Sequence, residues 1–324
     1  MPATVLTIGR AKVLVSEVNK AVHENSAGLF NLCDEKYEKK IDQIARRIAS
    51  DPSKARLIML SGPSASGKTT TSLKIQEALK KLGCGAVAIS MDDFFKNRDD
   101  TPIMPDGTRD YESSDALDTA RLKETLSELI TTGHTSLPVF SFKLGQRSNE
   151  SRPVVLDEGH VAIMEGLHAL NPKITDLLPP QAILKLYVSV SSDFVTDTGE
   201  TVLCARDLRF VRRAVRDFQF RGTNVEKTLD MWDAVCHGED IYIRPFKKCA
   251  DITINSAFSC EPCIFREVAL KLFGDAKPDS PHAQRVKHIL GGMSAFEPIS
   301  SSTIPGNCVL REFIGGSDYY NHKK

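Results

Sequence analysis

One stretch constrains this chain more than any other: Gly62-Pro63-Ser64-Ala65-Ser66-Gly67-Lys68-Thr69-Thr70. The spacing Gly-x4-Gly-Lys-Thr describes a loop whose backbone amides turn inward around an anion. Such a loop needs a buried strand before it and a helix after it. Both are written here. Leu57 to Leu60 is a short apolar run, and Ile75, Ala78, Leu79 and Leu82 recur at helical spacing until Gly83 stops them. The helix N-terminus adds partial positive charge, Lys68 a full one, and the Thr69 hydroxyl suits Mg²⁺. The candidate phosphate cradle is therefore Gly62, Ser64, Ala65, Ser66, Gly67, Lys68, Thr69 and Thr70.

The rest of the chain follows from that commitment. With 324 residues there is room for one large α/β domain with extensions. Lys plus Arg and Asp plus Glu balance at 42 each, so no global charge steers the chain to nucleic acid or an anionic membrane. No apolar run approaches a membrane span, and Met1-Pro2-Ala3-Thr4 does not open a secretory signal. Eight scattered cysteines fit reduced thiols in a cytoplasmic protein. Cys260-x-x-Cys263 is the one close pair and lacks the second pair or the spaced histidines of a zinc site.

Strands and helices alternate beyond the loop. Buried strands are expected at 85–90, 161–164, 183–190 and 251–255, and shorter ones at 137–143 and 154–156. Helices are expected around Leu122 to Ile130, around Val211 to Phe218, and up to Phe273. Nearly all-apolar strands of this kind imply a parallel sheet with helices on both faces. Residues 1–52 form an N-terminal extension. Tyr37, Ile41, Ile44 and Ile48 mark an amphipathic helix in it, whose stripe needs the main domain or another subunit, so a homo-oligomer is open. Residues 53–275 form the phosphate-loop domain. Residues 276–324, rich in Pro, Ser and Gly, read as a tail.

Ligands of open parallel sheets bind beyond the carboxyl ends of the strands. Asp92 and Asp93 follow the second strand, and Glu165 ends the third. A carboxylate beside a phosphate loop suits proton abstraction from an attacking hydroxyl. Adjacent residues point to opposite faces, so the two aspartates differ in role. Glu165 is placed to orient Mg²⁺. Arg209, Arg213 and Arg216 lie at i, i+4 and i+7, with Arg212 and Arg221 nearby. Like charges so placed destabilise a helix slightly unless a strongly anionic partner compensates, and a triphosphate is one.

The phosphate loop, Ile89-Ser90-Met91-Asp92-Asp93-Phe94-Phe95-Lys96, Tyr111 to Asp118, Pro138-Val139-Phe140-Ser141-Phe142, Val161 to Gly166, Arg212 to Gly222 and Lys247 to Asp251 occur in order along the chain. As a set they resemble the uridine kinase and phosphoribulokinase family. Leu310 to Gly316 is similar to a bacterial uridine kinase-like subgroup. The resemblance implies a phosphate-loop NTPase-type fold with a helical lid, ATP and Mg²⁺ as cofactors, and a small-molecule acceptor, foremost a nucleoside. It implies Asp92 as base for the 5′-hydroxyl, with Lys68 and Arg216 acting on the transferred group. It implies Arg221 and Asp251 on the nucleotide, Thr69 and Glu165 on the metal, and Glu112, Phe140, Arg147 and Arg213 around the acceptor. Glu112 stands where the family has a ribose-binding Asp.

The departures cluster. Phe140, Gly145 and Thr223 replace a Tyr, a His and an Arg that read the pyrimidine edge, and Phe and Gly side chains make no hydrogen bond to a base. A phosphosugar, pantothenate or another hydroxylated metabolite therefore stays open as acceptor, as does an ATP-binding regulatory module. No Asn-Lys-x-Asp guanine reader follows the loop, which disfavours a GTPase. A lone strand-end acid disfavours a motor ATPase.

Overall fold

The computed structural model describes residues 11–104, 107–141, 144–176, 178–277 and 279–320. In chain order its elements are β1 (Ala11–Leu14), α1 (Val15–Ser50), β2 (Leu57–Ser61), α2 (Lys68–Lys81), β3 (Ala86–Ser90), α3 (Thr119–Thr132), β4 (His134–Ser141), β5 (Gln146–Val155), β6 (Val161–Glu165), α4 (Pro172–Thr175), β7 (Ile183–Ser189), β8 (Ser192–Val195), β9 (Thr201–Leu203), α5 (Ala205–Phe220), α6 (Val225–Gly238), β10 (Ile252–Asn255), α7 (Glu261–Gly274), α8 (Ala283–Ser294) and α9 (Arg311–Ile314).

Five parallel strands form the central sheet, in the order β10-β7-β2-β6-β3. Every residue of β2 is buried. Its alternation divides the core: Ile58 and Leu60 face one cluster, Leu57 and Met59 the other. Val161 and Ile163 against Ala162 and Met164 repeat the division in β6. The first cluster takes in α1, α2, α5, α7 and α8; the second takes in α3, the hairpin and Ala169 to Leu178. The expected α/β architecture with covered faces is the one observed.

The apolar stripe of the N-terminal extension packs within the chain: Tyr37, Ile41, Ile44 and Ile48 are buried in the first cluster. Asn25 interrupts α1 with φ −164° and ψ 85°, and its side-chain oxygen accepts from the Gly28 amide to restart the helix. A second small sheet, β1-β8-β9, pairs Ala11–Leu14 in parallel with Ser192–Val195. It has too few alternating residues to read from sequence. The strands expected at 137–143 and 154–156 are the arms of one antiparallel hairpin, β4–β5, with a register shift between Pro138 and Phe140. Phe142 and Lys143 lie outside the described residues, as do Met1 to Thr4.

The expected tail is corrected. Among residues 276–320, Val286, Ile289, Met293, Phe296, Ile299, Ile304, Cys308, Val309, Leu310 and Phe313 are buried in the same cluster as Leu60 and Val188. The polar spacing residues concealed a discontinuous apolar set that packs as part of the domain.

Candidate active site

The phosphate loop leaves β2 at Ser61. A Cβ on Gly62 would lie 2.1 Å from the Val188 carbonyl oxygen, so only glycine fits there. Ala65 sits at φ +58° and Gly67 at φ +83°, the left-handed turns that aim the amides inward. α2 then starts at Lys68.

The loop is braced from behind. Arg212 is fully buried and forms an ion pair with Glu261 at 2.5 Å. It also donates to the Ala65 carbonyl at 3.4 Å and to the Ser256 carbonyl at 2.8 Å. The Ser256 hydroxyl donates to the Ser66 carbonyl at 2.6 Å. Tyr37 from α1 meets the Thr71 hydroxyl at 2.7 Å, and Thr71 in turn donates to the Gly67 carbonyl at 2.6 Å. Ser256 and Tyr37 are functional supports that sequence reasoning missed. Ser256 follows β10 with no motif of its own.

Lys68 is buried, donates to the Pro63 carbonyl at 3.2 Å and stands 3.9 Å from Glu165. Burial pushes the Glu165 carboxyl up to about 7; Lys68 opposes that, while Asp92 and Glu312 add to it. Asp92 lies on the turn Met91–Phe94 that follows β3. It keeps solvent access, yet the surrounding protein raises its carboxyl above the usual range, with Lys68 and Arg221 pulling it back. Burial raises Glu112 as well, opposed first by Arg213. Asp92, Glu112 and Glu165 thus all feel the charge of Lys68.

The arginines separate into two sets. Arg209 is buried and paired with Glu239 at 2.5 Å, and Arg212 braces the loop. These two stabilise the protein interior, which corrects the reading of one continuous basic face. Arg213 donates to the Ser64 hydroxyl at 2.8 Å. Arg213, Arg216 and Arg221 share Asp217, at 3.4, 2.8 and 3.5 Å. One carboxylate thus holds three guanidinium groups, of which Arg213 reaches the loop itself. Burial lowers the Arg213 pKa.

Two expected residues are placed otherwise. Asp251 precedes β10 and lies level with Lys185, whose register partner on β2 is Met59. It therefore sits below the carboxyl end of the sheet, where its carboxylate accepts the Lys185 amide at 2.8 Å. Arg147 is engaged by Asp118 at 3.1 Å and the Phe95 carbonyl at 3.4 Å, a staple between the hairpin and the segment before α3.

The other residues expected around the acceptor lie near that staple. Phe140 packs on Phe95 with ring centroids 5.9 Å apart. Asp93 faces Arg152 at 3.8 Å and the Phe140 main chain, away from the role of Asp92. Asp110 accepts from the Glu112 and Ser113 amides at 3.1 and 3.0 Å and from the Tyr242 hydroxyl at 2.8 Å. His168, three residues after Glu165, packs against Tyr242 beside the Glu112 main chain. Burial takes its pKa down to about 4, so the ring is neutral at pH 7. Its position after a strand-end acid was the signal available for it.

Among the described residues, no group of three or more His, Cys, Asp or Glu could by itself hold a metal ion. No helix of the described residues is long and apolar enough to cross a membrane.

The chain is similar to known proteins. A uridine kinase of Bacillus pumilus is 29% identical over 204 residues, covering 62% of this chain and 87% of that protein. The uridine kinase of Bacillus subtilis is 28% identical over 200 residues, covering 61% and 84%. A solved structure of a possible uridine kinase from Bacillus stearothermophilus covers 67% of this chain and 97% of that one at 18% identity, with a TM-score of 0.43. The sequence model of the phosphoribulokinase / uridine kinase family matches residues 57–260, the span from β2 to the start of α7. Loop, sheet and match coincide: the chain is an ATP-dependent small-molecule kinase and belongs to the phosphoribulokinase / uridine kinase family.

Proposed function

We propose that this kinase transfers the γ-phosphoryl group of ATP to a hydroxyl of a nucleoside, the 5′-hydroxyl foremost. The observation that carries this is Asp92. It stands in the turn that follows β3, open to solvent and within the field of Lys68, where a carboxylate can meet an attacking hydroxyl. In this reading Asp92 accepts the proton of the attacking hydroxyl. Lys68 and Arg216 neutralise charge on the transferred group, while Arg213 and Arg221 close over the phosphates. Glu112 accepts from the ribose hydroxyls and Phe140 covers the base.

Mg²⁺ fits this donor set. The cation is held by one or two protein oxygens plus phosphates and water, and the Thr69 hydroxyl with Glu165 supplies that number. When bound it neutralises charge on the β- and γ-phosphates. The eight free thiols suit a reducing, cytoplasmic compartment.

A second reading has its own support. The Phe140 ring lies against Phe95, and the Thr223 amide is taken by the Asp217 carbonyl at 3.1 Å. A wall of that kind offers a base edge no hydrogen bond, which favours an acceptor without a base, such as a hydroxylated sugar phosphate. A coupled ADP assay over a panel of nucleosides and sugar phosphates, run on wild type and Asp92→Asn, tests both. Asp92→Asn is expected to lower kcat by about 10²- to 10⁴-fold on the true acceptor. Undiminished turnover removes Asp92 as the base.

A further inference from the structure

The first turn of α2 does not wait with open amides. Glu312, from α9, accepts from the Thr70 amide at 3.2 Å and from the Thr70 hydroxyl at 2.7 Å through one carboxylate oxygen. The Tyr320 hydroxyl meets the same Thr70 hydroxyl at 3.2 Å and also hydrogen-bonds Thr69. The segment is fixed on both sides of these contacts. The Arg212 guanidinium lies 4.9 Å over the Phe313 ring, and Val309 closes on Gly67, where an added Cβ would come within 2.8 Å. Tyr319 donates to Glu77 on the outer face of α2 at 2.8 Å. Between the two halves, Gly315 and Gly316 both have positive φ, +85° and +70°.

A phosphate loop presents the amides of this first turn to the α- and β-phosphates. An N–H aimed at one acceptor is a weak donor to a second, and two anions repel when they share a helix N-terminus. We propose that Glu312 is the resident anion of the phosphate site, with Tyr320 as its latch, and that nucleotide binds by displacing its carboxylate from Thr70. The proposal rests on the reading of Gly62 to Thr70 as the nucleotide site. Both residues lie outside the family match, which ends at 260. The core anchors Val309, Leu310 and Phe313 are fully buried, so displacement is confined to the Glu312 side chain and the Gly315–Tyr320 arm. The apparent affinity for nucleotide is then its intrinsic affinity reduced by the fraction of molecules with the site vacated.

Calorimetric titration of the full chain with ADP, and with adenosine as a phosphate-free probe, tests this on wild type, Glu312→Gln, Glu312→Ala and Tyr320→Phe. Removing the resident charge is expected to tighten ADP about tenfold in both Glu312 variants. Tyr320→Phe should move it the same way by less. Adenosine affinity should not change, and the ligand-free Tm of the Glu312 variants should fall as the helix N-terminus loses its anion. Thermal scans also show whether each variant folds, and Tyr320→Phe keeps the test alive if a Glu312 variant does not. If wild type binds ADP and the variants bind it equally or more weakly, Glu312 is no competitor and the proposal falls alone. An equal gain for adenosine also overturns it. Failure of every form, wild type included, to bind ADP removes the nucleotide-site reading together with this one.

Discussion

The phosphate-loop side and the proposed acceptor side of this candidate site are built by different means. The loop is held by buried charge and backbone carbonyls: Arg212 against Glu261, Ser256 on Ser66, Tyr37 through Thr71. The acceptor side is held by half-exposed pairs such as Arg147 with Asp118, and by the hairpin β4–β5, much of whose second strand is exposed. Rigid backbone suits a ligand part that is always phosphate. Side chains on a hairpin suit a part that must be recognised by its own shape. Retaining chemistry while changing acceptor therefore requires changes on one side only.

Arg212→Ala strikes the rigid side hardest. It leaves Glu261 buried without its partner, and a loss of about 3–5 kcal/mol in denaturant unfolding is expected. A loss under about 1 kcal/mol would mean that the loop does not depend on this brace. Glu165 supplies the next effect. Its folded pKa of about 7 lies above the ordinary 4.5, so the folded state holds a proton that the unfolded state releases. Stability is then full below about 4.5 and declines as pH rises to about 7. Melting temperatures from pH 4.5 to 8 should show this fall in wild type and flatten in Glu165→Gln.

On the proposed acceptor side, Phe140→Ala should raise the acceptor KM about tenfold and leave the KM for ATP in place, since one apolar contact contributes about 1–3 kcal/mol. Equal changes in both KM values would end the division into two sides. The smallest effect expected is that of Arg147→Ala, at or below about 1 kcal/mol in unfolding, because its ion pair with Asp118 is partly solvated. A cost approaching that of Arg212→Ala would erase the contrast.

The same division governs what could be read before any coordinates. Leu57 to Thr70 announces strand, loop and helix because each part has its own period or spacing, and the acids Asp92 and Glu165 follow from sheet geometry. Asp251 misled because a family position does not say which end of a strand it occupies; Lys185 and the sheet register do. Arg209 and Arg213 look alike in a helical wheel, yet Glu239, thirty residues on, claims one of them. The buried set from Val286 to Phe313 escaped because its apolar residues keep no single period among Pro, Ser and Gly. Their partners lie on separate elements: α8 packs on α7 and β9, and α9 on α5.

That last packing has a consequence in time. Val309, Leu310 and Phe313 complete the core that also holds Leu60, Val188 and Tyr37. Domains are made from the amino end at about 5–20 residues per second. The phosphate loop leaves the ribosome long before the residues that back it, and β1 must wait for β8. Until residue 313 is free of the exit tunnel, the chain carries a complete phosphate-binding motif on an incomplete scaffold. This core is thus closed late, and a nascent chain stalled short of α9 would present it unsealed to chaperones.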